Sequence, residues 1–439
     1  MAKRLILGES GGPTPVIDWE VAGAVDQAQK AGWEVYGMVN GLEGLLNANI
    51  EGNIVNLTDM DPMSFAFNGP GACLRTTRLK PKEAQYRKMA EHLSALGITA
   101  VIYFGGNDSA EQLRGLGQFT GIQLIHGIKT IDNDLPETHH CPGYGSACLF
   151  NATALKNVYS DYSSYRSAAN YQVGGKIVQG FKLAPVAIYQ VMGRKAGWLA
   201  QGAAFAKVDP KGELIPERPP HIVLCMEVPF DKDRFLGRVD DVISRHGEAV
   251  IVVQEDLLDA RENKSIVELH GKDFVMRDDF GNPLLGRSTS FSTAIFVAQL
   301  CTEELKVKAV HGEIKEAAFV PQHIQRSCMM SPVDAAEAYQ VGAACVEVLE
   351  AGQTNKSVII RREHGRTLTG LTDVANIAAK ERAVPLHYIN DMDGPTQEFV
   401  DEYIYLIGGP AAIPHYSNLR PRPVAIPQKI TANPYVSGK

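Results

Sequence analysis

The sequence predicts an α/β protein of two lobes with mainly parallel sheets, and three observations carry that prediction. At 439 residues the chain exceeds the roughly 250–300 residues at which a single hydrophobic core stops growing, so it is expected to divide. Short apolar runs of strand length alternate with longer stretches of helical period, which is the rhythm of βαβ units. The turns from strand to helix are rich in Gly, Asp and Asn, and ligands of open α/β sheets bind at such turns. A cleft between the lobes is therefore the place to look for a site.

In chain order, a strand at Leu5–Leu7 leads into a helix over Ile17–Lys30 and a strand at Glu34–Val39. Thr99–Phe104 precedes a helix over Ser109–Leu116, and Gln123–His126 precedes one over Ser146–Tyr159. The rhythm resumes with Val186–Val191 and Ala196–Phe205, with His221–Met226 and Arg234–Arg245, and with Ala249–Gln254 followed later by Ser290–Leu305. Ser331-Pro-Val-Asp starts a further helix, Val333–Leu349, with serine as cap and Pro332 at the first helical position. The tail after about Ala378 is rich in Pro and Gly and reads as irregular.

Composition narrows the function. Hydrophobic residues make up 45% and charged residues 21%, the balance of a folded globular chain. A net charge of −7 argues against a general nucleic-acid binder, which needs a basic surface. Apolar runs such as Ala100–Phe104 and Ala249–Val253 fall far short of the roughly 20 residues of a membrane span. The opening Met1-Ala-Lys-Arg passes at once into a strand and a glycine turn, without the apolar stretch of a signal peptide. A cytoplasmic location is expected. Seven cysteines, Cys73, Cys141, Cys148, Cys225, Cys301, Cys328 and Cys345, are scattered without a CxxC pair and are expected to be reduced core thiols.

Four turns carry unusual chemistry. In Gly8-Glu-Ser-Gly-Gly-Pro-Thr-Pro15, glycines let backbone N–H groups approach an anion at a helix start; an ordinary tight turn is the plainer reading. Phe104-Gly-Gly-Asn-Asp-Ser109 offers amide, carboxylate and hydroxyl oxygens suited to Mg²⁺ and phosphates, or simply a helix cap. Lys129-Thr-Ile-Asp-Asn-Asp134 sets two carboxylates beside a lysine, and a buried Asp near a hydroxyl substrate can act as general base, although Asx-turns use the same residues. Met192-Gly-Arg-Lys-Ala-Gly-Trp198 presents an arginine able to grip phosphate bidentately, or an exposed arginine at a helix start.

Together and in this order, the Gly-Gly loop, GGNDS, KTIDND, MGR and the later His323-Ile-Gln-Arg326 resemble the phosphofructokinase family over most of the first 350 residues. The resemblance implies two Rossmann-like lobes in the phosphofructokinase fold, with the site between them. It implies phosphoryl transfer to the 1-hydroxyl of fructose 6-phosphate, a step of glycolysis and, in reverse, of gluconeogenesis. Residues 1–143 with about 325–375 would form the donor-binding lobe. Residues 144–324 with about 376–439 would bind the sugar phosphate and add a C-terminal extension.

Carried over position by position, the resemblance makes Asp132 the general base, with Asp134 in support, and makes Thr130 and Ile131 line the sugar. Met192, Gly193 and Arg194 would contact substrate, Arg194 also meeting the phosphoryl in flight. Glu255 would bond a sugar hydroxyl, and His323 and Arg326 would hold the 6-phosphate. Gly11 and Gly12 would face the donor phosphate. ATP-using relatives carry GGDGS and a glycine before TIDND, whereas this chain has Asp108 and Lys129. A carboxylate there repels a nucleotide's α-phosphate and a lysine neutralises departing orthophosphate, so the expected donor is pyrophosphate.

The family's magnesium-ligating aspartate is Asn107 here. Its amide oxygen still suits Mg²⁺, the expected cofactor, because pyrophosphate brings most of the oxygen ligands. The segment before MGR lacks the arginine that shorter bacterial members reach across a subunit interface, with Lys182 and Lys315 as stand-ins. The resemblance also implies a homodimer or homotetramer, and no nucleic-acid or membrane partner. An ATP-dependent 6-phosphofructokinase and a non-catalytic sugar-phosphate-binding paralogue stand as the alternatives.

Overall fold

The computed structural model describes residues 3–68, 71–163, 171–173, 176–178, 183–271, 292–305, 313–326 and 329–415. Lys182 and Cys328 lie outside the described residues, as does the side chain of Lys315. Two sheets organise the chain. The first contains β1 (Arg4–Glu9), β2 (Glu34–Met38), β3 (Ile54–Asn56), β4 (Ala100–Gly105) and β5 (Gln123–Ile128), and is completed by β12 (Lys356–Glu363) and β13 (Arg366–Asp373). The second contains β8 (Leu183–Val191), β9 (Ile222–Leu224), β10 (Ala249–Gln254) and β11 (Glu313–Phe319), while Tyr171–Val173 and Lys176–Val178 pair separately as β6 and β7.

The first sheet runs β13-β12-β5-β4-β1-β2-β3 and the second β11-β8-β10-β9. Every pairing in the second sheet is parallel, and in the first only the outer pairs β2–β3 and β12–β13 are antiparallel. That is the mainly parallel architecture expected. Strands such as Ala-Val-Ile-Tyr-Phe-Gly in β4 and Ala-Val-Ile-Val-Val-Gln in β10 are buried at every residue, as sheets covered on both faces require. In the first sheet the chain moves outward through β2 on one side of β1 and through β4 and β5 on the other. The strand order thus reverses at β1/β4, where a crevice opens beyond the carboxyl ends.

The helices and strands expected from the sequence are present, with ends shifted by a few residues. Ser331 accepts from Val333 N as the cap of helix Pro332–Glu350. This helix crosses helix Pro15–Lys30 closely: a Cβ on Gly23 would stand 2.0 Å from Tyr339 O, and one on Gly342 1.9 Å from Glu20 O. The expected helix Ser290–Leu305 is shorter, Thr293–Leu300, and ends in a π-helical turn. Of the cysteines, Cys141, Cys148, Cys225, Cys301 and Cys345 are free and buried, and Cys73 is free and half-buried.

The irregular tail is a correction. Helix Gln397–Tyr403 and 3₁₀ turns bury Phe399, Val400, Tyr403, Leu406 and Ile407 in the core that also holds Tyr144, Trp198 and Phe205. Sparse hydrophobic periodicity hid this, because its short turns dock by single aromatic contacts such as Phe399 on Phe205, 5.7 Å between ring centroids.

Candidate active site

The carboxyl ends of β1, β4 and β5 deliver three of the four unusual turns, and those of β8, β10 and β11 deliver Met192, Glu255 and the turn Gln322–Arg326. The two groups of turns meet. Asp132 feels Arg326 and Arg194 from the second group and Lys129 from its own loop, and a Cβ on Gly193 would stand 3.9 Å from Asp132 Oδ1.

On the side of the first sheet, Gly11 is left-handed (φ 80°) and a Cβ there would stand 3.4 Å from Lys129 Nζ. Lys129 is 3% exposed, and its ammonium donates to Ser10 O at 2.9 Å and Gly12 O at 2.8 Å. Burial pulls its pKa down to about 8, against Glu20, which holds it up. The GGNDS turn is fixed from beneath by His126. Its Nε2 stands 3.0 Å from Gly105 O, which only accepts, so Nε2 carries the proton and Nδ1 faces Ser357 Oγ at 3.0 Å. Burial keeps this ring neutral, its pKa down at about 4. Asp108 is exposed at the start of helix Asn107–Leu116. Asn107 Oδ1 accepts from Asp108 N at 2.9 Å, and its Nδ2 donates to Lys380 O at 3.2 Å and Glu381 Oε1 at 3.4 Å.

Asp132 stands at the junction. Its N–H donates to Thr130 Oγ1 at 3.2 Å, while Oδ1 is buried without a hydrogen-bond partner among the described residues. Burial raises its pKa, and Arg326, Arg194, Lys129 and Arg78 oppose that rise. The next residue, Asn133, is left-handed (φ 53°), and its Oδ1 accepts from Cys141 N at 2.9 Å. Asp134 is pushed up to about 7 by burial, then by Asp132 and Glu381. Ile131 is 6% exposed and packs its side chain into the core, leaving its backbone to face a ligand.

On the other side, Glu255 is 7% exposed and pushed up to about 7 by burial and by Asp132. Arg194 is exposed and Met192 buried. His323 is exposed in the 3₁₀ turn Gln322–Arg326. Arg326 rests on the first lobe: a Cβ on Gly12 would stand 2.6 Å from its guanidinium carbon.

Sequence reasoning missed three contributors. Arg78 acts on Asp132, Lys129 and Arg326; the run Arg75-Thr-Thr-Arg78 after a glycine-rich stretch was the available signal. Gln325 is 2% exposed and ties Met192 N (3.0 Å) and Gln190 O (3.3 Å) to the turn of Arg326. The segment after Ala378 touches the GGNDS turn through Lys380 and Glu381 and had no sequence signal.

For a divalent cation, three metal-ligating side chains come together among the described residues only at Glu9, Asp18 and Cys73. That trio is a loop anchor: Glu9 Oε2 accepts from Leu74 N at 2.7 Å, and Asp18 accepts from Cys73 N at 2.6 Å and Gly71 N at 3.3 Å. At the start of its helix Asn107 offers an amide oxygen and Asp108 an exposed carboxylate. This set suits a hard cation whose remaining ligands are phosphate oxygens and water.

Comparison with known proteins identifies the relatives of this arrangement. The family model described as phosphofructokinase matches residues 4–178 and 181–349. The pyrophosphate–fructose 6-phosphate 1-phosphotransferase of Rhodospirillum rubrum is 30% identical over 398 residues, 88% of this chain and 89% of that protein. An ATP-dependent 6-phosphofructokinase of Vibrio vulnificus is also 30% identical, over 271 residues that cover 61% of this chain and 74% of that one. Among solved structures, the pyrophosphate-dependent phosphofructokinase of Nitrosospira multiformis superposes with a TM-score of 0.74 at 26% identity, covering 99% of this chain and all of that one (100%).

Proposed function

We propose that this chain, which belongs to the phosphofructokinase family, moves a phosphoryl group reversibly from pyrophosphate to the 1-hydroxyl of fructose 6-phosphate. The observation that carries the reading is Lys129, whose buried ammonium is held against the glycine loop on Ser10 O and Gly12 O. A fixed cation beside the donor loop neutralises a departing orthophosphate. The carboxylate at Asp108 repels a nucleotide's α-phosphate. The pyrophosphate-using relative also matches 88% of the chain, against 61% for the ATP-using one.

In the reaction, Asp132 takes the 1-hydroxyl proton while the sugar oxygen bonds to the terminal phosphorus of pyrophosphate. The bridging P–O bond breaks and orthophosphate leaves beside Lys129; in reverse, Asp132 returns the proton. Asp134 keeps a second carboxyl beside the base. Arg194, Arg326 and Arg78 spread positive charge around the phosphoryl in flight. Thr130 and the backbones of Ile131, Met192 and Gly193 line the sugar, Glu255 accepts from one of its hydroxyls, and His323 with Arg326 takes the 6-phosphate. Gly11 and Gly12 let the donor approach the backbone.

Mg²⁺ is the expected cofactor; bound, it screens the charge of pyrophosphate, with Asn107 and Asp108 lining its position. The donor lobe is residues 1–143 with about 325–375, and the sugar-phosphate lobe is 144–324 with about 376–439. The enzyme works as a homodimer or homotetramer in the cytoplasm. Among the described residues no helix is long and apolar enough to cross a membrane.

The test is the initial rate of fructose 1,6-bisphosphate formation with pyrophosphate and with ATP offered separately. Turnover with pyrophosphate, and formation of fructose 6-phosphate from the bisphosphate and orthophosphate, are expected. Turnover with ATP alone would overturn the donor assignment, and silence with both would favour a binding-only paralogue.

A further inference from the structure

The segment Ala379–Val384 joins three of the chemistry-bearing turns. Ala379 N donates to Asn107 O at 3.4 Å, and Asn107 Nδ2 returns a bond to Lys380 O. Lys195, next to Arg194, donates to Glu381 Oε1 at 2.6 Å. Val384 N and Gly197 N share Glu227 Oε1 at 2.9 and 3.0 Å. Arg382 stands in the middle, its own N–H donating to Asp134 O at 2.6 Å.

Among the described residues, the hydrogen bonds of the Arg382 guanidinium go to carbonyl oxygens of the loop that follows the base. Nη2 donates to Asn133 O at 3.0 Å and His139 O at 3.2 Å, and Nη1 donates to Thr138 O. Its Cζ lies over the Trp198 ring, 4.5 Å from the centroid, and Trp198 Nε1 donates back to Arg382 O at 3.1 Å. The bond to Asn133 O matters most. Asn133 follows Asp132 directly and holds φ at 53°, a left-handed conformation that a non-glycine residue keeps only when its surroundings enforce it. If Asn133 relaxed to negative φ, the peptide that aims Asp132 toward Gly193 would turn.

We propose that Arg382 is a positioning residue for the reaction: its three-carbonyl clamp holds Asn133 left-handed and so keeps the Asp132 carboxylate aimed into the cleft. The proposal rests on the reading of Asp132 as the base. It gives the C-terminal segment a part in the chemistry. A planar fork of fixed donors serves three carbonyls at once, which a lysine's single ammonium on a flexible stem does not reproduce.

The test uses Arg382→Lys and Arg382→Ala in the full chain. Both are expected to lower kcat by on the order of 100-fold while the KM of each substrate stays within about threefold, the pattern of a misaimed catalytic group. Methylguanidinium is expected to restore part of the lost kcat in the alanine variant. Should the alanine variant fail to fold, the lysine variant carries the same kcat-against-KM criterion. Amide hydrogen exchange over 131–141, measured without substrate, is expected to quicken in either variant, and this readout stands even if the parent proves inactive with pyrophosphate. Turnover within about threefold of the parent, a rise in KM with kcat kept, or unchanged exchange over 131–141 would overturn the assignment.

Discussion

In the proposed reaction, the two sides of Asp132 would handle phosphate with cations built in opposite ways. On the donor side Lys129 is 3% exposed and tied to two backbone carbonyls. On the acceptor side Arg194 is exposed in the MGR turn. The donor-side cation is thus fixed by the protein's own carbonyls, an arrangement that would suit a small, rigid, highly charged donor with little surface of its own to organise a site. The acceptor side holds Glu255, a buried carboxyl whose pKa burial raises to about 7; in the proposed reaction an incoming sugar hydroxyl would stabilise its charge. Preorganisation favours rate on one side and ligand-driven completion favours selectivity on the other.

Removing the point where the sides meet should have the largest effect. Asp132→Asn keeps the shape and loses the base, so kcat is expected to fall by about 10³–10⁴ with substrate affinity nearly unchanged. Near-parental turnover would remove Asp132 from that role. Next comes the prebuilt cation: Lys129→Met should lower turnover with pyrophosphate by roughly 10²–10³, and steady-state rates at saturating fructose 6-phosphate would read this. Arg326 touches both sides. Arg326→Ala is expected to raise the KM for fructose 6-phosphate by about tenfold or more, with a smaller fall in kcat because the guanidinium also lies against Gly12; an unchanged KM would assign it to the donor alone.

The smallest effect is the pH response, and it sharpens the contrast. Glu255 and Asp134 gain their charge as pH rises through about 7, and Lys129 loses its charge as pH rises through about 8. The kcat/KM for pyrophosphate should therefore climb through the first value and decline through the second. Lys129→Arg should flatten the alkaline decline, since a guanidinium stays charged; a decline that persists would belong to another group. Stability moves the other way for this lysine. Between about 8 and 10.5 the unfolded chain keeps a proton that the buried amine has shed, so that residue's contribution to stability rises with pH.

How much of this was legible in the sequence depended on the kind of contact. The strands Ala100–Gly105 and Ala249–Gln254 announced themselves because sheets buried on both faces need unbroken apolar runs. TIDND and MGR each admitted a plainer reading alone, and it was their order and spacing with GGNDS and His323-Ile-Gln-Arg326 that made them legible. The β12–β13 hairpin was missed although His364-Gly365, with φ of 51° and 76°, is a two-residue connection of the left-handed kind that joins antiparallel strands. Arg382 was illegible for a deeper reason: its partners are backbone carbonyls almost 250 residues upstream, and a carbonyl carries no residue identity. Arg326 shows a middle case, its family motif visible in the sequence while its rest position against Gly12 follows only from the approach of the lobes.

The strand order of the first sheet bears on how a ribosome can deliver this molecule. Its opening strands emerge first, but β12, which flanks β5, and helix Pro332–Glu350, which crosses helix Pro15–Lys30, come only after the whole second sheet has been made. The amino-terminal lobe is thus begun first but waits for residues beyond 330, with one edge of β5 and one face of its first helix open during synthesis. Such waiting surfaces attract wrong partners. A nascent chain halted near residue 320 is expected to bind chaperones through the open edge of β5 and the uncovered face of helix Pro15–Lys30, and that binding should weaken once the β12–β13 hairpin clears the exit tunnel.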